Sequence, residues 1–211
     1  MLEYGPAFVG AGLWAFAKFP EQMRWAADIY GRSFGLLAGL YELWTETPGY
    51  GEALEEAVKD LRRSPKTVLD LATGTGFVAS AVKRKFPDAS VTGVDGTAEM
   101  VAVAQHQAIA DGLTLDYQIA DSSALPFADG SFDLVTMQNS IPFPEEMMRV
   151  VAPGGRALIV YSFAGPWIKL AWPALAARLE EAGAEHVWGR RAGPGYFGFA
   201  RKASANPPKS S

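Results

Sequence analysis

Val68-Leu69-Asp70-Leu71-Ala72-Thr73-Gly74-Thr75-Gly76 decides the fold, because it joins a buried strand to a turn of small residues and the start of a helix. Small residues let a ligand approach the backbone of the turn more closely than larger side chains would allow. The helix that follows presents free N–H groups and the positive end of its dipole, which favour a carboxylate or a phosphate. Asp70 adds a negative charge at the end of the strand. Together these features suit a zwitterion, with Asp70 for an ammonium group, directly or through water, and backbone N–H groups for a carboxylate.

The same turn also satisfies a second pattern, that of dinucleotide-binding proteins. Gly74-Thr75-Gly76-Phe77-Val78-Ala79 fits G-x-G-x-x-G/A, and Asp95 follows about twenty residues later, as that pattern requires. At the end of a strand, Asp95 is suited to accept hydrogen bonds from ribose hydroxyls. The alternative is that Asp95 only caps the helix that begins near Thr97.

Working outward from this turn, short apolar runs alternate with helical patterns. We expect strands at residues 67–71, 90–95, 113–119, 132–136, 156–161, 184–188 and 196–201, and helices at 52–62, 76–86, 98–110 and 171–182. This order predicts an α/β fold: a Rossmann-like, seven-stranded, mostly parallel sheet with helices on both faces. Its last strand is expected to be antiparallel, in a hairpin joined by Gly193-Pro194-Gly195.

The ends of the chain differ in composition from its middle. Residues 1–64 are interpreted as an N-terminal helical lid or substrate cap, with helical periodicity from Glu21 to about Trp44. Residues 65–203 are expected to form the ligand-binding domain. Residues 204–211 are rich in Ser, Pro and Lys and are predicted to be a disordered tail.

Charge and residue usage exclude several classes of function. The net charge of −4, without a run of Lys or Arg, argues against a nucleic-acid partner. The chain has no Cys and only two His, so no metal site is predicted, and the absence of Cys fits a reducing cytoplasm. The apolar residues 6–17 are interpreted as a docking or lid segment, with peripheral membrane contact as the alternative. The sequence leaves the oligomeric state open, a homodimer included.

Three further segments carry a resemblance to a known family. Ala120-Asp121-Ser122-Ser123-Ala124 follows the third predicted strand, an L-P-F-x-D-x-x-F-D run extends from Leu125 to Asp133, and Arg149-Val150-Val151-Ala152-Pro153-Gly154-Gly155 precedes the fifth strand. In this order and spacing they resemble the class I S-adenosylmethionine-dependent methyltransferases, especially the ubiquinone/menaquinone biosynthesis branch. Coverage runs from about Val68 to Lys202, and the turn departs from the family only in having Ala72 for its first glycine.

The resemblance implies S-adenosylmethionine as co-substrate and a set of residues that hold it. It implies that Asp121 bonds the adenine amino group, that the backbone of Ser122 contacts the ring, and that Tyr30 closes over the co-substrate. The full set that we expect at the site is Tyr30, Asp70, Ala72, Thr73, Gly74, Gly76, Asp95, Gly96, Met100, Asp121, Ser122 and Gln138.

The acceptor is less well defined, because residues 137–144 are shorter than in the family and lack its His pair. We expect in-line methyl transfer to a small, apolar or aromatic molecule, in a pocket formed by the N-terminal helices and residues 138–144 and 162–173. Its candidate aromatic walls are Trp14, Phe16, Trp25, Phe34, Tyr41, Phe143, Phe163, Trp167 and Trp172, which otherwise simply pack helices onto the sheet.

No catalytic base is assigned from the sequence. His106 is interpreted as a solvent-facing helix residue and His186 as part of the sixth strand, while Asp28 and Glu42 qualify only if their helices form the lid. Two other functions stay open at this point. One is a non-catalytic protein that binds S-adenosylmethionine or S-adenosylhomocysteine, and the other is a nicotinamide-dependent oxidoreductase, against which the Asp121 segment and the absence of a Tyr-x-x-x-Lys pair argue.

Overall fold

The structure is a computed structural model, and it describes residues 45–163 and 165–204. The expected N-terminal lid up to residue 44, with Tyr30, Asp28 and Glu42, lies outside the described residues. So do the five aromatic residues of that segment that we expected at the acceptor pocket, and the tail after residue 204.

Twelve elements follow one another along the described chain. The helices are α1 (Glu52–Asp60), α2 (Phe77–Lys85), α3 (Ala98–Ala110), α4 (Pro144–Val150) and α5 (Gly165–Glu181). The strands are β1 (Thr67–Leu71), β2 (Ser90–Asp95), β3 (Asp116–Ile119), β4 (Phe132–Gln138), β5 (Val151–Tyr161), β6 (Ala184–Ala192) and β7 (Gly195–Lys202).

All seven strands form one sheet in the order β3-β2-β1-β4-β5-β7-β6. The first five strands in chain order pair in parallel, and β7 is antiparallel to both β5 and β6. The predicted Rossmann-like sheet with a terminal antiparallel hairpin is therefore confirmed. The strand order reverses between β1 and β4, and ligands of open α/β sheets bind outside the carboxyl ends of the strands at such a point.

Alternating side chains of the strands bury two separate cores, one on each face. On one face Leu69, Met137 and Ile159 pack against α4 and α5. On the other face Val68 and Leu158 pack against α1, α2 and α3. Because both faces are covered, the central strands are apolar throughout rather than alternating. Asp70 is the one charged residue of β1, and by alternation with Val68 it lies on the face of α1, α2 and α3.

Helix α5 begins earlier than the sequence indicated. We expected a start at Ala171, with residues 162–173 as a pocket-lining segment, but the helix begins at Gly165 and continues through Pro173. The predicted start placed Pro173 in the first turn of the helix, where proline is tolerated, whereas the observed helix has it in the interior. Here Ile168, Ala171, Trp172, Leu175 and Leu179 are buried at helical spacing, and their packing outweighs the lost hydrogen bond.

Strand β5 also begins earlier than expected, at Val151 instead of Arg156. Val151 pairs with Phe132 and Arg156 with Leu134, so the intervening residues leave the regular register of the sheet. Gly154 adopts φ 77°, which side chains disfavour. The Pro-Gly-Gly sequence therefore forms an irregularity within the strand rather than only its entry. Among the described residues, no helix is long and apolar enough to cross a membrane.

Arg149 joins two of the segments that the family resemblance singled out. Its guanidinium donates to the carbonyl oxygens of Phe127 at 2.7 Å and Leu125 at 3.0 Å. Glu146 accepts two further hydrogen bonds from Arg149, at 2.7 and 2.8 Å, and one from the N–H of Leu125 at 2.5 Å. The start of the L-P-F-x-D-x-x-F-D run and helix α4 thus form one clamp.

We expect Arg149→Lys to lower the free energy of unfolding by about 1–3 kcal/mol, because an ammonium cannot reach both carbonyl oxygens and Glu146 at once. Urea denaturation followed by circular dichroism measures the change. Arg84→Lys is the matched control, since Arg84 makes an exposed ion pair with Asp111 at 2.6 Å. Such pairs contribute at most about 1 kcal/mol. Equal losses in both variants would contradict the role of the clamp.

Candidate functional site

The turn between β1 and α2 has a left-handed backbone at three alternate residues. Ala72 has φ 49°, Gly74 φ 54° and Gly76 φ 81°. The N–H of Thr73 donates to the carbonyl of Val94 in β2 at 2.9 Å, and the N–H of Gly76 donates to that of Thr73 at 2.8 Å. The turn is therefore anchored to the neighbouring strand. Its left-handed residues explain why the motif requires glycines.

Asp70 holds this turn from below. Its side chain is 1% exposed, and its two oxygens accept hydrogen bonds from the hydroxyls of Thr73 and Thr136, each at 2.7 Å. Burial raises the pKa of Asp70 from its ordinary value to about 6, although both hydroxyls oppose that rise. Because both oxygens are engaged, Asp70 is placed to order the turn and to add negative charge beneath it. A direct bond to an ammonium group, which the sequence left open, stays a prediction.

Asp95 joins the end of β2 to the turn. Its Oδ2 accepts from the N–H of Gly74 at 3.0 Å, and its Oδ1 accepts from the N–H and hydroxyl of Thr97 at 3.1 Å each. The carboxylate is half-buried, and Oδ2 retains a lone pair toward a ligand. The capping interpretation holds for Oδ1, while Oδ2 is suited to a ribose hydroxyl.

The N-terminus of α2 provides donors for an anion. Gly76 is the residue before the helix, and no side chain caps its end. The first turn also has no acidic residue, and of its N–H groups that of Ala79 already bonds the carboxylate of Asp70. A carboxylate is the natural ligand of such an end.

Tyr117 supports the same turn and was missed by the sequence analysis. A side chain at Gly76 would collide with the hydroxyl of Tyr117, and one at Gly93 would lie 2.6 Å from its ring carbons. Tyr117 and Gly93 are register partners in β3 and β2, so the ring fills the space above the glycine. Only the pairing of strands, which the sequence does not show, could have identified this contact.

The residues expected around the adenosine lie at the ends of β2 and β3. Asp121 is exposed, and its Oδ1 accepts from the N–H of Ser123 at 2.7 Å, which orders the loop after β3. Ser122 is half-buried in that loop. Gly96 is exposed, with no atom within 4 Å of a Cβ built on it, and Met100 is 2% exposed at the start of α3. The sheet therefore brings these residues to the rim that also bears Asp95.

The carboxyl ends of β4 and β5 carry a polar network, of which the sequence predicted only Gln138. Gln138 donates through Nε2 to the hydroxyl of Ser162 at 2.7 Å, and its Oε1 is buried with no donor among the described residues. Asn139 donates to Ser162 Oγ at 3.0 Å and to the hydroxyl of Tyr50 at 3.2 Å, and it accepts from the N–H of Ser162 at 2.9 Å. Asn139 has φ 53°, a conformation that Asn tolerates better than most residues.

Aromatic rings lie beside this network. Tyr50 contacts Phe77 with ring centroids 5.2 Å apart and Phe163 at 6.2 Å, both in edge-to-face geometry. Trp172, in contrast, is 7% exposed and packs on Tyr196 at 5.4 Å, inside the core of the α5 face. Its interpretation as a pocket wall was wrong, because α5 turns it toward the sheet. Trp167 is 45% exposed.

Neither histidine lies at this rim of the sheet. His106 is exposed on α3, as predicted, and His186 is exposed on β6 with φ 51°. His186 falls where the register of β6 and β7 shifts, between Glu185 and Trp188. It is therefore the extra residue of a β-bulge, remote from the turn at Gly76.

The comparisons with known proteins agree with this geometry. A family model described as a methyltransferase domain matches residues 68–155. The demethylmenaquinone methyltransferase of Thermus thermophilus is 40% identical over 144 residues, which cover 63% of this chain and 65% of that protein. The ubiquinone/menaquinone biosynthesis C-methyltransferase UbiE of Desulfotalea psychrophila is 34% identical over 138 residues, covering 60% and 55%. The chain thus spans between about half and two thirds of these relatives.

Solved structures show the same fold at lower identity. A SAM-dependent methyltransferase from Aquifex aeolicus has a TM-score of 0.60 at 23% identity and covers 74% of this chain and 94% of its own. The [4+2]-cyclase SpnF has a TM-score of 0.68 at 19% identity, with coverage of 85% and 97%. Proteins named for different reactions therefore share this fold, and the fold alone does not define the reaction.

The match over residues 68–155 and the two relatives together support a likeness to the class I S-adenosylmethionine-dependent methyltransferases, as the resemblance implied. Within that class, both relatives are named for methylation in menaquinone or ubiquinone biosynthesis, so the similarity is to that branch.

The described residues fit S-adenosylmethionine, the co-substrate of this family. The open end of α2 provides donors for its carboxylate, and the orphaned Oε1 of Gln138 is a buried acceptor suited to its ammonium group. Asp95 and Asp121 present carboxylate oxygens at the ends of β2 and β3, and their roles toward the ribose and the adenine amino group stay predictions. The charges and hydrogen-bonding groups along the rim thus complement one adenosyl-amino acid.

We expect Ala72→Gly to raise the free energy of unfolding by up to about 1 kcal/mol, because a left-handed backbone costs alanine energy that glycine does not incur. Chemical denaturation measures the change. Ala102→Gly is the matched control, since Ala102 is exposed inside helix α3. There the same substitution lowers stability by about 0.5–1 kcal/mol. A loss at both positions would show that the conformation of Ala72 is not strained.

Burial of Asp70 makes stability depend on pH. Its pKa is about 6 in the folded protein and near 3.8 when unfolded, so the folded state holds an extra proton between these values. Stability from this group is therefore complete below pH 3.8 and falls as pH rises through 6, by about 3 kcal/mol at most.

Replacing Asp70 by Asn removes this dependence. The difference in unfolding free energy between the natural protein and Asp70→Asn is expected to shift in favour of the variant from pH 4 to pH 7. Urea titrations at several pH values measure it. Parallel pH profiles for the two proteins would contradict a raised pKa.

Proposed function

We propose that the protein transfers a methyl group from S-adenosylmethionine to a small, apolar or aromatic acceptor by in-line displacement. The observation that carries this proposal is the half-buried carboxylate of Asp95, which is bonded to the N–H of Gly74 in the left-handed turn at 3.0 Å. This bond holds the carboxylate of Asp95 beside the N-terminal end of α2, which supports recognition of the ribose and the carboxylate of one co-substrate by neighbouring groups.

The chemistry divides between co-substrate and protein. The sulfonium group supplies an already electrophilic methyl, so the protein needs only to bind, orient and exclude water. Asp70 orders the turn from below and adds charge that favours a cationic ligand. Gln138 lies two residues beyond Thr136 on β4, so both side chains are on the same side of the sheet. Gln138 is therefore about 7 Å further along the strand than Thr136.

The acceptor side supports an apolar ring more than a charged molecule. Tyr50 contacts both Phe77 and Phe163 beside the ends of β4 and β5. The two relatives from Thermus and Desulfotalea are named for methylation in menaquinone and ubiquinone synthesis. A demethylated quinol is therefore the first acceptor to test.

Co-substrate binding tests the site directly. Calorimetric titration of S-adenosylhomocysteine should show saturable binding that Asp95→Asn weakens by about tenfold to a hundredfold, since a charge-assisted hydrogen bond contributes about 1.5–3 kcal/mol. Asp116→Asn is the matched control, because Asp116 is exposed at the edge of the sheet, and it should bind as the natural protein does. Unchanged affinity of Asp95→Asn for S-adenosylhomocysteine would contradict the proposed co-substrate site.

Turnover separates an enzyme from a protein that only binds the co-substrate. We expect S-adenosylhomocysteine to accumulate with a demethylated menaquinol, and with at least some of a panel of phenols and amines. Binding without accumulation across the panel would favour the non-catalytic alternative. Tight binding of NAD(H) in place of S-adenosylhomocysteine would favour an oxidoreductase.

A further inference from the structure

A second concave site lies at the opposite end of the sheet. A cavity of about 410 Å³ opens where the end of α1 meets the face of β5, β7 and β6, lined by Asp60, Arg62, Arg156, His186, Trp188, Phe199, Ala200 and Arg201. Arg156 pairs with Leu134 near the start of β4, and Ser162 lies six residues further along the chain. At about 3.3 Å per residue, the cavity is roughly 20 Å from the end of β5. It is therefore distinct from the co-substrate site.

This cavity is cationic in a chain whose net charge is −4. Arg62, Arg156 and Arg201 face Asp60 as the only acidic residue of the lining, and Asp60 already contacts Arg190 at 3.3 Å. Arg156 and Arg62 make no ion pair within the described part of the chain. The acidic residue of the lining therefore does not neutralise the charge of its three arginines.

The two central arginines are paired in a way that proteins normally avoid. Arg156 and Arg201 are direct cross-strand partners of β5 and β7. Like charges in that relation destabilise a sheet. Arg201 also has a buried Nε with no acceptor among the described residues, although its Nη2 reaches Glu185 at 3.2 Å. An unpartnered buried N–H beside two like charges is suited to donate to an oxyanion.

The wall of the cavity is aromatic. Trp188 is 42% exposed and rests on Phe199, with ring centroids 5.2 Å apart. The β-bulge at His186 lies immediately before it, with φ 51°. Bulges redirect side chains, and a left-handed non-glycine residue costs energy that a local function can explain. The exposed part of the indole is available to stack on a planar ring.

A second cavity continues from the first and shares Arg156 and Arg201 with it. Its volume is about 610 Å³, and Arg63 and Lys66 add further positive charge at the amino ends of the strands. Asp133 is its one acidic residue, and it accepts hydrogen bonds from the N–H groups of Lys66 and Thr67. Cavities of this size accommodate small organic ligands.

We propose that this groove binds a nucleoside phosphate, with the phosphate on Arg156 and Arg201 and the base against Trp188. Arginine forks match phosphate oxygens, and the shared position of both arginines between the cavities places the phosphate at their junction. The proposal is independent of methyl transfer, because the groove and the turn at Gly76 lie at opposite ends of the sheet.

Calorimetric titration with uridine 5′-monophosphate, ribose 5-phosphate and uridine tests it. Saturating S-adenosylhomocysteine is present throughout, so that the adenosine seat is filled. We expect uridine 5′-monophosphate to bind with a Kd below about 1 mM, and at least about tenfold more tightly than either of the other two. No detectable binding at 10 mM nucleotide, a concentration about tenfold above that Kd, would overturn the proposal.

Substitutions test whether the nucleotide binds in the proposed groove. Arg156→Ala should weaken the nucleotide at least about tenfold, and Trp188→Ala should weaken the nucleotide but not ribose 5-phosphate. Arg84→Ala is the matched control for loss of one exposed arginine, and Asp95→Asn tests independence from the co-substrate site. Both should bind as the natural protein does. An equal loss in Arg84→Ala and Arg156→Ala, or a loss in Asp95→Asn, would overturn the proposed site. Thermal unfolding confirms that each variant is folded.

Discussion

The buried carboxylate of Asp70 is the constraint on which the site depends. It accepts from Thr73 in the turn and from Thr136 in the adjacent strand β4, so one side chain joins β1, β4 and the start of α2. A buried carboxyl group without such partners would cost several kcal/mol. The two hydroxyls therefore make the charge tolerable, and the charge in turn fixes the turn where the strand order reverses. The hydrogen bonds of Asp70 therefore stabilise both the sheet and the proposed co-substrate site.

Other parts of the family pattern act at a distance from the chemistry. Arg149 and Glu146 hold the loop between Leu125 and Phe127, which continues from the segment that carries Asp121. Asp133 accepts from the N–H groups at the start of β1. Sequence motifs that identify the class are thus largely clamps between loops and strands. Their role in the described residues is to fix the segment that follows Asp121 against helix α4 and the sheet.

The central sheet could be predicted from the sequence because its signals are local. Glycine-rich turns and apolar runs predicted β1, β2 and α3 at their observed bounds. The failures arose where long-range contacts decide: α5 continues through Pro173 because its apolar face is buried, and β5 extends back across Pro-Gly-Gly. Tyr117 and Tyr50 were missed for the same reason, and Asn139 and Ser162 were predicted only as parts of the pocket segments, without a role of their own. Their roles follow from partners far away in sequence, whereas Asp70 and Asp95 stand beside a recognisable turn.

The two outer strands of the sheet have a consequence for contacts between molecules. Strand β3 has four residues, and β6 is interrupted by the bulge at His186 and bears Glu185, Arg190 and Arg191. Edge strands that are short, kinked or charged are poor templates for pairing with a strand from another chain. The sheet is therefore protected against extension into fibrous or swapped assemblies. Contact between two copies is expected instead on the helical faces, which leaves the rim of the sheet open to small molecules.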